Sequence, residues 1–94
     1  MGLFGKKKTP EEILAEGLAL YEQGEYGKAA LVLLKASGKL NGEVDYWLGR
    51  SYLGLDAKHG KSPSKTAKQY LQFAAKAGHG DAAKLLSEKF GVTI

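Results

Sequence analysis

Cysteine is absent from this chain, proline occurs only twice, and no long apolar run interrupts its 94 residues. Without cysteine there are no disulfides, no thiolate nucleophiles and no thiolate metal ligands. No apolar stretch approaches the roughly 20 residues that a membrane-spanning helix needs. The lysines near the N-terminus are not followed by the apolar segment of a secretory signal. Together these absences predict a cytoplasmic protein.

The length and composition are those of one globular domain, because the hydrophobic fraction is 44% and the charged fraction 26%. Much of the net charge of +4 comes from residues 6–8 and from Lys58, Lys61 and Lys65. A basic excess can attract nucleic acid or an anionic membrane. Sites for single-stranded nucleic acid usually interleave aromatic residues with basic ones, and neither cluster does so. We therefore favour two solvated lysine clusters and expect neither nucleic acid nor a membrane as the main partner.

Apolar residues recur at spacings of three and four along most of the chain, which predicts an all-α fold. No segment shows the alternation of a strand. The predicted helices span residues 10–23, 25–39, 43–55, 63–77 and 79–90. Residues 1–9 lack this periodicity and are predicted to form a flexible basic leader to a folded domain in residues 10–94.

Local signals at the helix ends support these boundaries. Thr9, followed by a proline and two glutamates, predicts a capping box completed by Glu12. Asn41 is a candidate N-cap for the third helix. A loop is predicted over residues 56–62, and residues 62–63 (Ser-Pro) predict the cap and first position of the fourth helix.

The predicted helices repeat an internal pattern. Gly17 and Leu20 in the first helix match Gly49 and Tyr52 in the third at the same offset. The second and fourth helices share an alanine, a leucine four residues later and a further alanine: Ala29, Leu33 and Ala36, then Ala67, Leu71 and Ala74. Small residues at such positions allow two helices of a pair to approach closely. A pair of this kind cannot bury its apolar face alone, so we expect the pairs to stack.

Residues 16–36 resemble a tetratricopeptide repeat, and residues 46–83 resemble the related Sel-one-like repeat. The first resemblance rests on Gly17, Leu20, Gly24, Tyr26, Ala29, Leu33 and Ala36. The second rests on residues 46–49 (Tyr-Trp-Leu-Gly), on Tyr52 and on the Ala-Ala, Gly-His and Ala junction within residues 74–82. The resemblance implies a right-handed α-α superhelix of about two and a half antiparallel helix pairs, five helices in all. The fifth helix would be the first half of a third repeat and would serve as a cap, and Ser87 departs from the pattern because it stands where that repeat would have its signature glycine.

In the tetratricopeptide family, the first helix of each pair lines a concave groove that binds peptides or proteins. The resemblance therefore implies a protein-binding module, an adaptor or scaffold, that holds a peptide or helix. Transferring this geometry predicts the groove residues Leu14, Leu18, Tyr21, Glu22, Tyr46, Arg50, Leu53, Lys84 and Glu88. Tyrosine and arginine are favoured interface anchors. Leu14 and Leu18 occupy places where the family's carboxylate clamp needs lysine and asparagine, so no such clamp is expected.

Positions that the repeat pattern assigns to packing are expected to be buried: Leu20, Leu48, Tyr52 and Leu71. Catalytic residues, a cofactor and a metal site are not expected. Residues 60–62 (Gly-Lys-Ser) resemble the end of a phosphate-binding loop, but the required earlier glycine is replaced by Leu55. His59 and His79 are the only histidines, and neither lies in a zinc-binding or triad pattern.

Two alternatives remain open from the sequence. The leader and the loop lysines could make the protein a basic peripheral adaptor that contacts nucleic acid or anionic lipid, with strong salt dependence. The incomplete third repeat could also pack against a second copy through Phe90, Val92 and Ile94, which would give a structural homodimer.

Overall fold

A computed structural model describes residues 8–92 of the chain. These residues form five α-helices and no strand: α1 Pro10–Glu22, α2 Tyr26–Leu33, α3 Glu43–Lys58, α4 Lys65–Lys76 and α5 Gly80–Phe90. Two short 3-10 turns, Leu34–Ala36 and Leu40–Gly42, separate α2 from α3. Each helix packs against the next one along the chain, and α1 also contacts α3. The all-α prediction is therefore confirmed, while the right-handed superhelical twist stays a prediction.

The predicted ends of α1 are confirmed. The Thr9 hydroxyl accepts a hydrogen bond from the Glu12 N–H (3.1 Å), and the Glu12 carboxylate accepts one from the Thr9 N–H (2.8 Å). These reciprocal bonds satisfy two amides that the first turn leaves without a helical partner. After α1, Gly24 has a φ of +79°, which is the left-handed conformation of a C-terminal cap.

Helix α2 is shorter than predicted, because its last turn tightens into the 3-10 turn Leu34–Ala36 and the chain leaves helical conformation at Ser37. The cause is a contact from the next helix. Asp45 is buried in α3, and its carboxylate accepts hydrogen bonds from the Ser37 hydroxyl (2.7 Å) and the Gly38 N–H (3.0 Å). A helix running to Lys39 could not present these two groups to Asp45.

The predicted N-cap of α3 was wrong. Asn41 itself has a left-handed φ of +53°, and Gly42 occupies the cap position with a φ of +92°. A side chain at Gly42 would place its Cβ 2.8 Å from the carbonyl oxygen of Ala74, so only glycine fits this close approach.

The loop after α3 begins later than predicted, because α3 continues to Lys58. The cap of α4 is Ser64, whose hydroxyl accepts a hydrogen bond from the Ala67 N–H (3.2 Å). The predicted start at Ser62 and Pro63 was therefore wrong. The Asp56 carboxylate accepts the Ser64 N–H (2.9 Å), which fixes the end of the loop against α3.

The internal repeat has a structural counterpart in the first two helix pairs. A Cβ built on Gly17 would lie 2.5 Å from Cγ of Leu33, and one on Gly49 would lie 2.6 Å from Cγ of Leu71. Both leucines are completely buried. The pair α1–α2 and the pair α3–α4 are therefore closed by the same contact between a glycine and a leucine.

Two core clusters lie along the stack. The first joins α1, α2 and α3 through Ile13, Ala30, Leu33, Ala36, Val44 and Leu48. The second joins α4 and α5 through Leu71, Ala74, Ala82 and Leu86.

The burial expected at the packing positions is confirmed only in part. Leu48 and Leu71 are fully buried, as predicted, but Leu20 and Tyr52 are only half-buried. The Tyr52 ring stacks on Tyr70 (5.7 Å between ring centres) at the margin of the first core cluster, and Tyr70 is itself half-buried.

Candidate functional site

An open cleft of about 350 Å³ is bordered by α1 and α3, the first helices of the two pairs, and by the single helix α5. Its lining residues are Tyr21 from α1, Tyr46, Arg50, Leu53 and Gly54 from α3, and Leu85 and Lys89 from α5. Residues four and three apart lie on one face of a helix. Tyr46, Arg50 and Leu53 therefore form a continuous strip along α3 toward the cleft.

The Arg50 guanidinium lies over three aromatic rings. Its central carbon is 4.7 Å from the ring centre of Trp47, 5.4 Å from that of Tyr21 and 5.6 Å from that of Tyr46. Its Nη1 also donates a hydrogen bond to the Tyr46 hydroxyl (3.2 Å). Attraction between a cation and the faces of these rings holds the half-buried charge in place.

Five rings form what we call the aromatic row, which connects α2 to the start of α5: Tyr26, Tyr21, Trp47, Tyr46 and His79. Successive ring centres are 5.2, 5.2, 5.3 and 4.4 Å apart. The row needs Gly54 at its first end, because a Cβ there would lie 2.8 Å from Cδ1 of Tyr26. The packing of these rings therefore fixes the aromatic surface on which the Arg50 guanidinium lies.

The last ring of the row ties α5 to α3. Nδ1 of His79 accepts the Ala82 N–H (3.1 Å) and caps α5, while Nε2 donates to the Glu43 carboxylate (2.7 Å). This arrangement fits the neutral imidazole with its proton on Nε2. The other carboxylate oxygen of Glu43 accepts a hydrogen bond from Nε1 of Trp47 (3.0 Å). Burial tends to raise the pKa of Glu43, but the hydrogen bonds from His79 and Trp47 outweigh it and lower that pKa.

The charge of the cleft is positive. Arg50 and Lys89 line it, and no aspartate or glutamate is among its lining residues. Within residues 8–92, no carboxylate lies within 4.0 Å of the Arg50 guanidinium, since the ion pairs there are Lys8 with Glu16 and His79 with Glu43. A positioned arginine with no carboxylate partner in an open cleft is a candidate ligand contact, because arginine is a frequent interface anchor.

The structure brings together four of the nine predicted groove residues: Tyr21, Tyr46, Arg50 and Leu53. The other five lie outside the cleft lining: Leu14, Leu18, Glu22, Lys84 and Glu88. Leu14 packs against the first core cluster, and Leu18 is also half-buried. Glu22, Lys84 and Glu88 are exposed.

The contribution of α5 was missed by one position, because Leu85 and Lys89 line the cleft where Lys84 and Glu88 were expected. One residue rotates a side chain by about 100° around a helix. Ala82 and Leu86 pack against α4 in the second core cluster, and that stripe orients the remaining faces of α5.

A second cleft, of about 380 Å³, lies between α1 and α2 and is lined by Lys8, Ile13, Glu16, Val32 and Lys35. Lys8 and Glu16 form an ion pair with each other there. Its charged groups are therefore partly satisfied within the chain, unlike those of the first cleft.

The residues behind the alternative functions have different environments. Phe90 and Val92 pack against the second core cluster of their own chain, and Ile94 lies outside the described residues. Lys58, Lys61 and Lys65 are exposed, whereas residues 6–7 lie outside the described part. Among residues 8–92, no group of three or more histidines and carboxylates is placed to hold a metal ion. No helix in the same range combines the length and apolar character that a bilayer span demands.

Comparison with known proteins gives no relative for this chain. No protein-family model matches it, and neither a curated protein nor a solved structure does so. The resemblance to tetratricopeptide and Sel-one-like repeats therefore stays a prediction from the residues that carry it.

Proposed function

We propose that the protein is an interaction module, an adaptor or scaffold, that binds a peptide or helix of another protein in the cleft between α1, α3 and α5. One observation carries the proposal. The Arg50 guanidinium is held over three aromatic rings in an open cleft bordered by three separate helices. Arginine and tyrosine are the residues most enriched among energetically dominant interface contacts.

The geometry of the cleft favours side chains of a protein partner. Its volume of about 350 Å³ lies at the small end of the range of ligand pockets, which begins at about 300 Å³. Such a space suits a few side chains of a longer segment that continues over the surface. The aromatic row also fixes Arg50 before binding, which reduces the ordering cost of association.

The resemblance to tetratricopeptide-like repeats agrees with this proposal, because that family binds peptides along the first helices of its pairs. The repeat assignment and the cytoplasmic location are part of the proposal and stay predictions. Neither the homodimer nor the peripheral adaptor is favoured by a specific contact in the structure.

The first experiment selects ligands from random sequences, so that the partner need not be identified beforehand. A library of random displayed peptides would be panned on the folded full-length protein, and the recovered peptides titrated into isotope-labelled protein. We expect chemical-shift changes concentrated on the Trp47 indole N–H, Leu53 and Leu85. Failure to recover peptides, or shifts confined to other surfaces such as the exposed Leu31 on α2, would contradict the proposal.

A paired substitution tests the same site from the protein side. Tyr46→Phe combined with Arg50→Gln removes a hydroxyl and a charge but keeps the ring that stacks on His79. We expect the affinity of a selected peptide to fall by at least about tenfold, as for loss of a charged interface anchor. The control is Glu22→Gln, an exposed change on α1 outside the cleft. Circular dichroism would establish that both variants remain folded, and unchanged affinity in the double variant would reject the site.

A further inference from the structure

The hydrogen-bonding capacity of Arg50 is largely unused within the described chain. A guanidinium carries five N–H donors, and its partners within the described chain are two tyrosines: Nη1 donates to the Tyr46 hydroxyl, and the Tyr21 hydroxyl is a second contact. Within residues 8–92, no carboxylate lies near enough for an ion pair. The side chain is therefore positioned by ring faces and tyrosine hydroxyls, which leaves most of its N–H donors for another acceptor.

Glu43, on the same helix as Arg50, does not accept hydrogen bonds from the Arg50 guanidinium. Both oxygens of Glu43 accept hydrogen bonds, one from His79 and the other from Trp47. Glu43 thus joins α3 to α5 and is not an ion-pair partner of Arg50.

A second cation and two leucines complete the cleft. Lys89 contributes from α5, so positive charge borders the space from two helices. Leu53 and Leu85 lie in the same lining, and both also pack against the second core cluster. The site therefore offers a pair of cations beside a small, firmly supported apolar surface.

We infer that the cleft recognises an acidic protein segment, an inference that rests on the proposed function. Neighbouring Asp or Glu side chains of the segment pair with Arg50 and Lys89, and an adjacent apolar side chain packs on Leu53 and Leu85. The planar fork of arginine matches a carboxylate with two parallel hydrogen bonds, which lysine cannot provide. Arg50 is therefore the main determinant of specificity, and Lys89 adds attraction.

The same geometry disfavours single-stranded nucleic acid as the occupant. Base recognition of that kind relies on aromatic faces on which successive bases stack. Here Tyr46 stacks on His79, and the Arg50 guanidinium covers the rings of Tyr21, Tyr46 and Trp47. An acidic peptide needs the exposed edge of the guanidinium and not the ring faces.

Two matched peptide libraries test the inference on the full chain. In one library, two adjacent central positions are fixed as Glu-Glu; in the other they are Gln-Gln, and tryptophan is excluded from both. Because Trp47 is the only tryptophan and lies 4.7 Å from the Arg50 guanidinium, its fluorescence reports directly on the cleft. We expect cleft-binding peptides from the Glu-Glu library, and we expect each to lose at least about tenfold in affinity when its two glutamates become glutamines.

Substitutions in the protein show how much each cation contributes to binding of the two glutamates. Arg50→Gln should weaken a Glu-Glu peptide by at least about tenfold, and Arg50→Lys, which keeps the charge without the fork, should give an intermediate loss. Lys89→Gln should weaken it by about threefold. Lys84→Gln removes the same charge from the same helix outside the cleft and should change affinity by less than about twofold.

The outcomes separate this inference from the proposed function. Equal cleft binding by Glu-Glu and Gln-Gln peptides, with Arg50→Gln without effect, would overturn the acidic specificity and leave the peptide-binding function standing. No cleft binding from either library would remove both. Binding of an oligothymidylate that changes the Trp47 fluorescence, with no peptide binding, would replace the acidic segment by nucleic acid. The inference is supported if Glu-Glu peptides bind better than Gln-Gln peptides, if the Arg50 and Lys89 variants weaken that binding, and if affinity falls with rising salt.

Discussion

Two glycines set the distance between the helices of a pair, because a side chain at either position would collide with a buried leucine. Gly17 faces Leu33, and Gly49 faces Leu71. Gly27 in α2 differs, since a Cβ there would meet nothing within 4 Å. The same residue type is thus required for packing at two positions and not at the third.

This contrast gives a matched pair of substitutions. We expect Gly49→Ala to lower the free energy of unfolding by about 1–3 kcal/mol, because Leu71 has no room to move away from the new methyl group. Gly27→Ala should raise it by up to about 1 kcal/mol, since alanine restricts the unfolded chain and favours helix. Urea denaturation followed by circular dichroism measures both. A Gly49→Ala variant as stable as wild type would show that α3 and α4 can move apart without a loss of stability.

At the scale of elements, α3 and α5 are connected through Glu43, whose carboxylate accepts hydrogen bonds from Trp47 within α3 and from the capping residue of α5. The pKa of Glu43 is lower in the folded protein than its ordinary value near 4.5, because these hydrogen bonds outweigh the effect of burial. The charged carboxylate therefore stabilises the fold above that ordinary value, and its contribution disappears as the pH falls through the folded-state pKa.

The dependence on pH can be isolated with Glu43→Gln. We expect wild type to be more stable than this variant near neutral pH, and the difference to shrink as the pH falls from about 6 to about 3. Urea midpoints across that range provide the measurement. Glu22→Gln, at an exposed position with no hydrogen bond through its side chain, is the control. A difference that stays constant with pH would mean that the charge of Glu43 does not stabilise the fold.

The number and order of the helices could be predicted from periodicity, whereas several boundaries could not. Side chains distant in sequence fix those boundaries: Asp45 holds the turn after α2, and Asp56 holds the residue that caps α4. Such contacts exist only after the helices have packed. The α3 half of the cleft, with Tyr46 and Arg50, was predicted from the resemblance, which implied that the first helix of each pair lines a groove. The α5 half depended on a helical phase that packing against α4 determines.

For the whole molecule, packing in chain order gives the middle helices more neighbours than the terminal ones. Helix α3 contacts α1, α2 and α4, while α5 packs mainly on α4. Segments with fewer packed neighbours open with less free energy than the best-packed part of a fold. The cleft therefore combines a firmly held wall on α3 with a more easily displaced wall on α5.

Amide hydrogen exchange should show this gradient directly. We expect the slowest exchange in α3 and faster exchange in α5. Leu86→Ala removes a fully buried side chain from the second core cluster and should cost about 2–5 kcal/mol. The resulting increase in exchange should be largest in α5 and small in α1. A uniform increase across all helices would indicate that the domain opens only as one cooperative unit.

A longer α3 and a longer exposed loop after it space the two copies of the repeat unevenly. Gly17 and Gly49 are closer together in sequence than Leu33 and Leu71, although each glycine packs on the corresponding leucine. If the sequence is aligned with itself at one fixed offset, one helix of each pair is matched and the other is out of register. Lengthening or shortening this exposed segment would change the apparent period while leaving both glycine–leucine contacts intact. Divergent copies of such a unit are best found by aligning each helix independently.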